Sequence, residues 1–91
     1  MNSGELSIAE IPFKSGSLQY RFARYLADDG ERWIRHGLFQ AYHENGNLAS
    51  EGSYHHGVET GHWRDFHQDG RLAAVGTYIE GKEADDWKYS D

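Results

Sequence analysis

His43–Gly57 reads HENGNLASEGSYHHG, and His67–Gly81, 24 residues later, reads HQDGRLAAVGTYIEG. Laying 37–60 over 61–84 without a gap matches nine positions: Gly37, His43, Gly46, Leu48, Ala49, Gly52, Tyr54, Gly57 and Glu59 recur as Gly61, His67, Gly70, Leu72, Ala73, Gly76, Tyr78, Gly81 and Glu83. Average residue usage would produce roughly one or two such identities. Aromatic character is also kept where Phe39 becomes Trp63 and Tyr42 becomes Phe66. A fixed period of this length marks a repeat array. A third unit begins at Asp85 and places Trp87 under Trp63.

The repeated residues are those of β-hairpins. Asn45-Gly46 and Asp69-Gly70 predict type I′ turns, in which both central residues take positive φ. His56-Gly57 and Glu80-Gly81 mark a second turn in each unit. Between the turns, Leu48, Ser50, Gly52 and Tyr54 alternate onto one face, as do Leu72, Ala74, Gly76 and Tyr78. Glycine inside a strand weakens it unless another group needs the space. Gly52 and Gly76 are therefore expected to let an aromatic ring lie flat on the backbone. Phe39 and Tyr42 are three apart, as are Trp63 and Phe66. Either a bulge intervenes or both faces carry aromatics.

Outward from the repeat, 16–36 reads as a capping hairpin. Gly16-Ser17-Leu18 resembles Gly46-Asn47-Leu48, "LQYRFARYL" is a strand, Asp29-Gly30 a turn, and "ERWIRHGLF" the return strand. A two-residue turn there sets Arg24 opposite Arg35, a destabilising like-charge pair. A different register, carboxylates such as Asp28 and Glu31, or an anionic partner would each relieve it. Residues 1–15 read as a tail or an edge strand, the tail being favoured for 1–12. Units 37–60 and 61–84 follow, then a truncated capping strand at 85–91. The expected fold is all-β: a single-layer antiparallel meander of about six strands in one domain, 1–91. Charged residues on the final edge, Asp85, Asp86, Lys88 and Asp91, oppose edge-to-edge association.

Composition bounds the function. The 91 residues carry a net charge of −6 and no cysteine. Phosphate backbones repel such a chain, so direct nucleic-acid binding is disfavoured. Disulfides and thiolate metal sites are excluded. No apolar run approaches the roughly 20 residues of a membrane span, and the N-terminus lacks the pattern of a secretory signal. A cytoplasmic protein without membrane contact is expected.

Catalytic and metal chemistry find little support. Ser50, Ser53 and Thr77 have no fixed relation to a histidine and an acid. His43 and His67 occupy one repeat position, and two strands at about 4.8 Å each would hold them about 10 Å apart. That is too far for one ion with bonds near 2.1 Å. His55 and His56 are adjacent in a strand and are expected to point to opposite faces. The expectation is no enzyme, no metal and no cofactor.

The pattern Gly-x-aromatic-x-x-aromatic-(aromatic or His)-x-(Asn/Asp)-Gly-x-Leu-x-x-x-Gly-x-Tyr-x-x-Gly resembles the variant MORN repeat of bacterial proteins, many of them described as YwqK-type antitoxins. Residues 37–84 carry two full units. The resemblance implies a β-hairpin solenoid without catalytic residues, and a binding module for proteins or, in some cases, lipids. Family members often have lysine-rich turns, whereas the turns here read "HHGVET" and "EGKEADD", which weakens a lipid-headgroup reading. The expectation is a module that neutralises a partner protein with a basic surface by occlusion, in the manner of an antitoxin, immunity or anti-defence protein. A self-associating scaffold is the alternative, and a homodimer stays open. The aromatics are first of all core, but any left on a bare face would form a contact patch. The candidate contact residues are Trp63, Phe66, Trp87 and Tyr89 with the acidic Glu80, Glu83, Asp85 and Asp86.

Overall fold

The computed structural model describes residues 5–90. They form eight strands: β1 Ser7–Pro12, β2 Leu18–Leu26, β3 Trp33–Tyr42, β4 Leu48–His55, β5 Val58–Phe66, β6 Leu72–Ile79, β7 Lys82–Glu83 and β8 Lys88–Tyr89. All belong to one antiparallel sheet in chain order, and β7 and β8 share the outer edge of β6. The described residues contain no helix, so none is long and apolar enough to cross a membrane. The array is a single-layer meander with Cα extents of 47 × 36 × 14 Å.

The repeat is built from two kinds of turn, and their assignment differs from the sequence expectation. Residues 44–46 and 68–70 are three-residue loops, closed by His43 with Asn47 and by His67 with Arg71. Gly46 N–H donates to His43 O (2.9 Å) and His43 N–H to Asn47 O (2.9 Å). The second unit repeats this at Gly70 and His67 with 2.9 and 2.8 Å. Only the glycine is left-handed in each, Gly46 at φ 93° and Gly70 at φ 92°. This is a type I turn followed by a glycine bulge, not a type I′ turn. The side chains of Asn45 and Asp69 favour it by accepting the backbone N–H two residues on, at 2.9 and 3.0 Å. The type I′ geometry falls on the other turn. His56 (φ 46°) with Gly57, and Glu80 (φ 50°) with Gly81, are the paired positive-φ residues.

Strand register defines two faces. One, the aromatic face, carries Ala9, Phe22, Phe39, Gly52, Trp63 and Gly76 as successive cross-strand partners or neighbours. Its rings form a continuous ladder: Phe22–Phe39 6.2 Å, Phe39–Trp63 5.6 Å, Trp63–Tyr78 5.5 Å and Tyr78–Trp87 5.2 Å between centroids. Phe22, Phe39 and Trp63 are buried with Ala9, and Tyr20, Ala41, Tyr54, Tyr78 and Trp87 pack on them. The Trp63 indole lies on Gly52 and the Trp87 indole on Gly76, where a Cβ would overlap the ring. The expected use of both glycines is thereby met. In the capping hairpin Phe22 stands opposite Phe39, and the two rings tilt by 30° against each other.

The spacing of three between aromatics resolves in both offered ways. Register shifts occur between Ala41 and Tyr42 and between Asp65 and Phe66. Tyr42 also turns to the side of Gln40, to which its hydroxyl donates (3.1 Å), and Phe66 to the side of Arg64, whose guanidinium lies 5.4 Å from its ring.

Two further expectations are corrected. Ser7–Pro12 is not a tail but an edge strand paired with β2; residues 1–4 lie outside the described residues. The β2–β3 connection is a four-residue loop closed by Ala27 N–H to Arg32 O (2.8 Å), yet it still sets Arg24 opposite Arg35. Aromatic faces relieve the pair. Arg24 stacks 3.8 Å over Trp33, and Arg35 lies 4.7 Å from the Phe22 ring and 5.3 Å from Phe39. The ring quadrupole attracts each cation. Arg24 Nε is buried without a hydrogen-bond partner among the described residues.

Candidate functional site

The proposed contact residues separate into core and edge. Trp63 is core: 6% exposed, its Nε1–H shared between Ser53 O and Thr60 O, both 3.1 Å away. It is not available to a partner. Phe66 is half-buried on the opposite face, under Arg64.

Trp87, Tyr89 and Glu83 do come together. The Trp87 Nε1–H donates to Thr77 O (2.9 Å), 24 residues beyond Ser53, the carbonyl that holds Trp63. Its ring stacks on Tyr89 at 6.1 Å and 24°. The Tyr89 hydroxyl donates to Glu83 Oε1 (2.9 Å), and this bond raises the phenol's pKa. Tyr89 is nonetheless 68% exposed. Register places Glu83 beside Tyr78 on the aromatic face. Burial raises the Tyr78 pKa first, and the charges of Glu83, Glu59 and Asp65 raise it further. The aromatic face thus carries a negative field at this end.

The edge is not acidic throughout. Lys82 pairs with Ile79 and Lys88 with Val75, which puts both lysines on the opposite face. Glu80 occupies the left-handed turn, exposed, and Asp85 is exposed in the connection between β7 and β8. Asp86 has a structural task. Its carboxylate accepts the Thr77 hydroxyl (2.6 Å) and the Thr77 backbone N–H (3.0 Å). These bonds lower its pKa, and they satisfy an edge donor that β7 and β8 leave between them.

The histidines also divide. His43 Nε2 lies 2.9 Å from Phe66 O, and His67 Nε2 lies 3.2 Å from Ser90 O. A carbonyl only accepts, so each Nε2 carries the proton and ties one unit to the next. His55 and His56, expected on opposite faces, instead converge. The left-handed backbone at His56 brings the two rings to 4.4 Å, with His36 at 5.1 and 4.5 Å from them. Tyr25 closes the group, its hydroxyl 2.7 Å from His56 Nδ1. Sequence reading missed this cluster. The available signal was a histidine in place of the asparagine or aspartate typical of a type I′ turn.

Comparison with known proteins finds one family. The model of the MORN repeat variant matches residues 35–56, which span β3 from Arg35, the His43–Asn47 loop, β4 and the first residue of the type I′ turn. No curated protein matches the chain, and no solved structure does. The match of residues 35–56 to the MORN repeat variant suggests a protein- or membrane-binding module, and the residues that follow copy the turn geometry of that unit.

Proposed function

We propose that this chain is a non-enzymatic protein-binding module that occludes a basic surface on a partner protein, in the manner of an antitoxin, immunity or anti-defence protein. The observation that carries the reading is the C-terminal end of the aromatic face. There an exposed Tyr89 and the half-buried Trp87 stand beside Glu83, framed by the exposed Glu80 and Asp85. Amphipathic aromatics flanked by charge suit protein interfaces. The net charge of −6 favours encounter with a cationic surface. A phosphate-rich membrane surface fits the same charge poorly.

The test is capture from the native host with two baits, the wild type and an E80Q/E83Q/D85N variant. Asp86 is left intact because it holds the sheet edge. A basic protein retained by the wild type and depleted on the variant supports the reading. Equal retention by both baits removes the acidic edge from it.

Self-association is a second reading, favoured by the outer edge of β1. Leu6, Ile8 and Ile11 are exposed there. Light scattering separates the two, since a monomer across the working concentration range rules out the scaffold.

A further inference from the structure

His36, His55 and His56 gather on the face opposite the aromatic ladder. His36 lies on the Gln40 side of β3, and His55 flanks the turn at the end of β4. One nitrogen from each ring lies within 4.8 Å of those of the other two.

The repeat scaffold does not require histidine at any of these positions. One unit later, in the same sheet, the corresponding residues are Thr60, Ile79 and Glu80. Glu80 holds the same left-handed geometry, φ 50° against 46° at His56. The backbone bond that seats the turn is also common to both units: Gly57 N–H to Arg35 O at 2.8 Å, and Gly81 N–H to Glu59 O at 3.0 Å. The turn therefore forms without histidine, and the presence of histidine at all three positions calls for another account.

We propose that His36, His55 and His56 form a surface site for a divalent transition-metal ion that favours imidazole ligands, zinc being the one to test. Imidazole nitrogen suits zinc, copper(II) and nickel among the first-row ions. Zinc–nitrogen bonds of about 2.0–2.1 Å in a tetrahedral site put ligand nitrogens about 3.4 Å apart. The ligand atoms, now within 4.8 Å of one another, need to close by up to about 1.4 Å to reach that spacing, which small torsions of the exposed His55 and His56 and the half-buried His36 supply. The fourth position faces solvent and takes water.

Proton placement supports two of the ligands directly and sets a condition on the third. His56 Nδ1 and the Tyr25 hydroxyl lie 2.7 Å apart, and in the tautomer whose Nδ1–H donates to that oxygen His56 Nε2 keeps its lone pair for the ion. A hydrogen bond of this kind on the non-ligating nitrogen is the usual support for a metal-bound imidazole. Neither nitrogen of His55 has a hydrogen-bond partner among the described residues. His36 Nδ1 accepts the backbone N–H of His56 at 2.9 Å, so Nδ1 is its lone pair. Ligation by His36 exchanges that hydrogen bond for the ion and releases the His56 amide to water. Binding is thereby coupled to the turn.

The experiment is zinc titration of the full chain by calorimetry, with amide and imidazole resonances followed in parallel. The comparison variant is H36T/H55I/H56E, which installs the residues that the scaffold already carries 24 positions later, Thr60, Ile79 and Glu80. The control is H62Q, an exposed histidine outside the cluster. The expected result is one zinc per wild-type chain, at least tenfold weaker binding by the triple variant, and unchanged binding by the control. In the wild type, zinc shifts the ring signals of His36, His55 and His56 and speeds exchange of the His56 amide. Equal binding by wild type and triple variant overturns the site. So does the absence of saturable binding, or zinc-induced shifts centred on His43, His62 or His67. The resonances decide the matter within the wild type even if the variant folds poorly.

Discussion

The indole of Trp63 rests on the bare backbone of Gly52, and Trp87 repeats the arrangement on Gly76, each partner 24 residues further along the chain. Each indole N–H also reaches the carbonyl of the residue after its glycine, Ser53 or Thr77. One ring thus covers the neighbouring strand and ties to it. This step adds Trp63 to the buried core of Ala9, Phe22 and Phe39 and packs Trp87 against it, in a sheet with no second layer.

The glycine requirement can be isolated with a double-mutant cycle at the outer step. Gly76→Ala in the wild type places a methyl in the Trp87 ring and is expected to cost about 1–3 kcal/mol. In a Trp87→Ala background the same change should cost close to nothing, because the ring is gone. Urea denaturation of the four proteins gives the coupling. Additive costs would show that the ring does not need the glycine.

Glu80 is held in a left-handed conformation that favours Asn or Gly. Glu80→Asn is expected to raise stability by about 0.5–1 kcal/mol through relief of backbone strain. Thermal unfolding at pH 7 checks this. Unchanged or lower stability would mean that the Glu80 side chain makes a compensating contribution.

Acid sensitivity should report on the β2–β3 loop. The Arg32 guanidinium bonds to Asp29, and the backbone N–H groups of Glu31 and Arg32 add to it, so the Asp29 pKa falls to about 2 from 3.8. A carboxylate depressed on folding contributes stability above its unfolded pKa. That contribution is lost as pH falls from 3.8 toward about 2. Asp29→Asn is expected to be less stable than the wild type at pH 6, with the difference shrinking through that window. A difference independent of pH would show that the ionised carboxylate is not the stabilising form.

Asp86 predicts an edge defect. Asp86→Ala leaves the Thr77 backbone N–H without its acceptor and is expected to loosen the sheet edge locally. Hydrogen exchange should quicken at Thr77 and in β8 while β2 to β4 stay protected. Uniform quickening across the sheet would contradict a local role.

Much of the fold was legible in the sequence, and its failures have physical reasons. The 24-residue period, the strand faces and the use of Gly52 and Gly76 follow from alternation and from the space a missing Cβ leaves. The turn types did not follow, because Asn45-Gly46 signals a left-handed glycine without fixing the number of loop residues. β1 was obscure because an edge strand that buries only Ala9 needs no alternation. Arg24 was placed opposite Arg35, but the relief by Trp33, Phe22 and Phe39 requires knowing which rings share that face. The sequence sets Lys82 beside Glu83, and only the register shows that the sheet sorts the two to opposite sides. The histidine cluster was hidden most deeply. It depends on a left-handed non-glycine residue that folds two adjacent side chains toward each other.

The central claim is that the acidic, aromatic end of this array recognises a basic protein surface. Its most direct test is the association rate of the captured partner with the wild type and with E80Q/E83Q/D85N, measured across ionic strength. The account predicts that wild-type association slows steeply as salt rises and that the variant associates more slowly with a flatter salt dependence. Identical rates and salt slopes for the two proteins would contradict it.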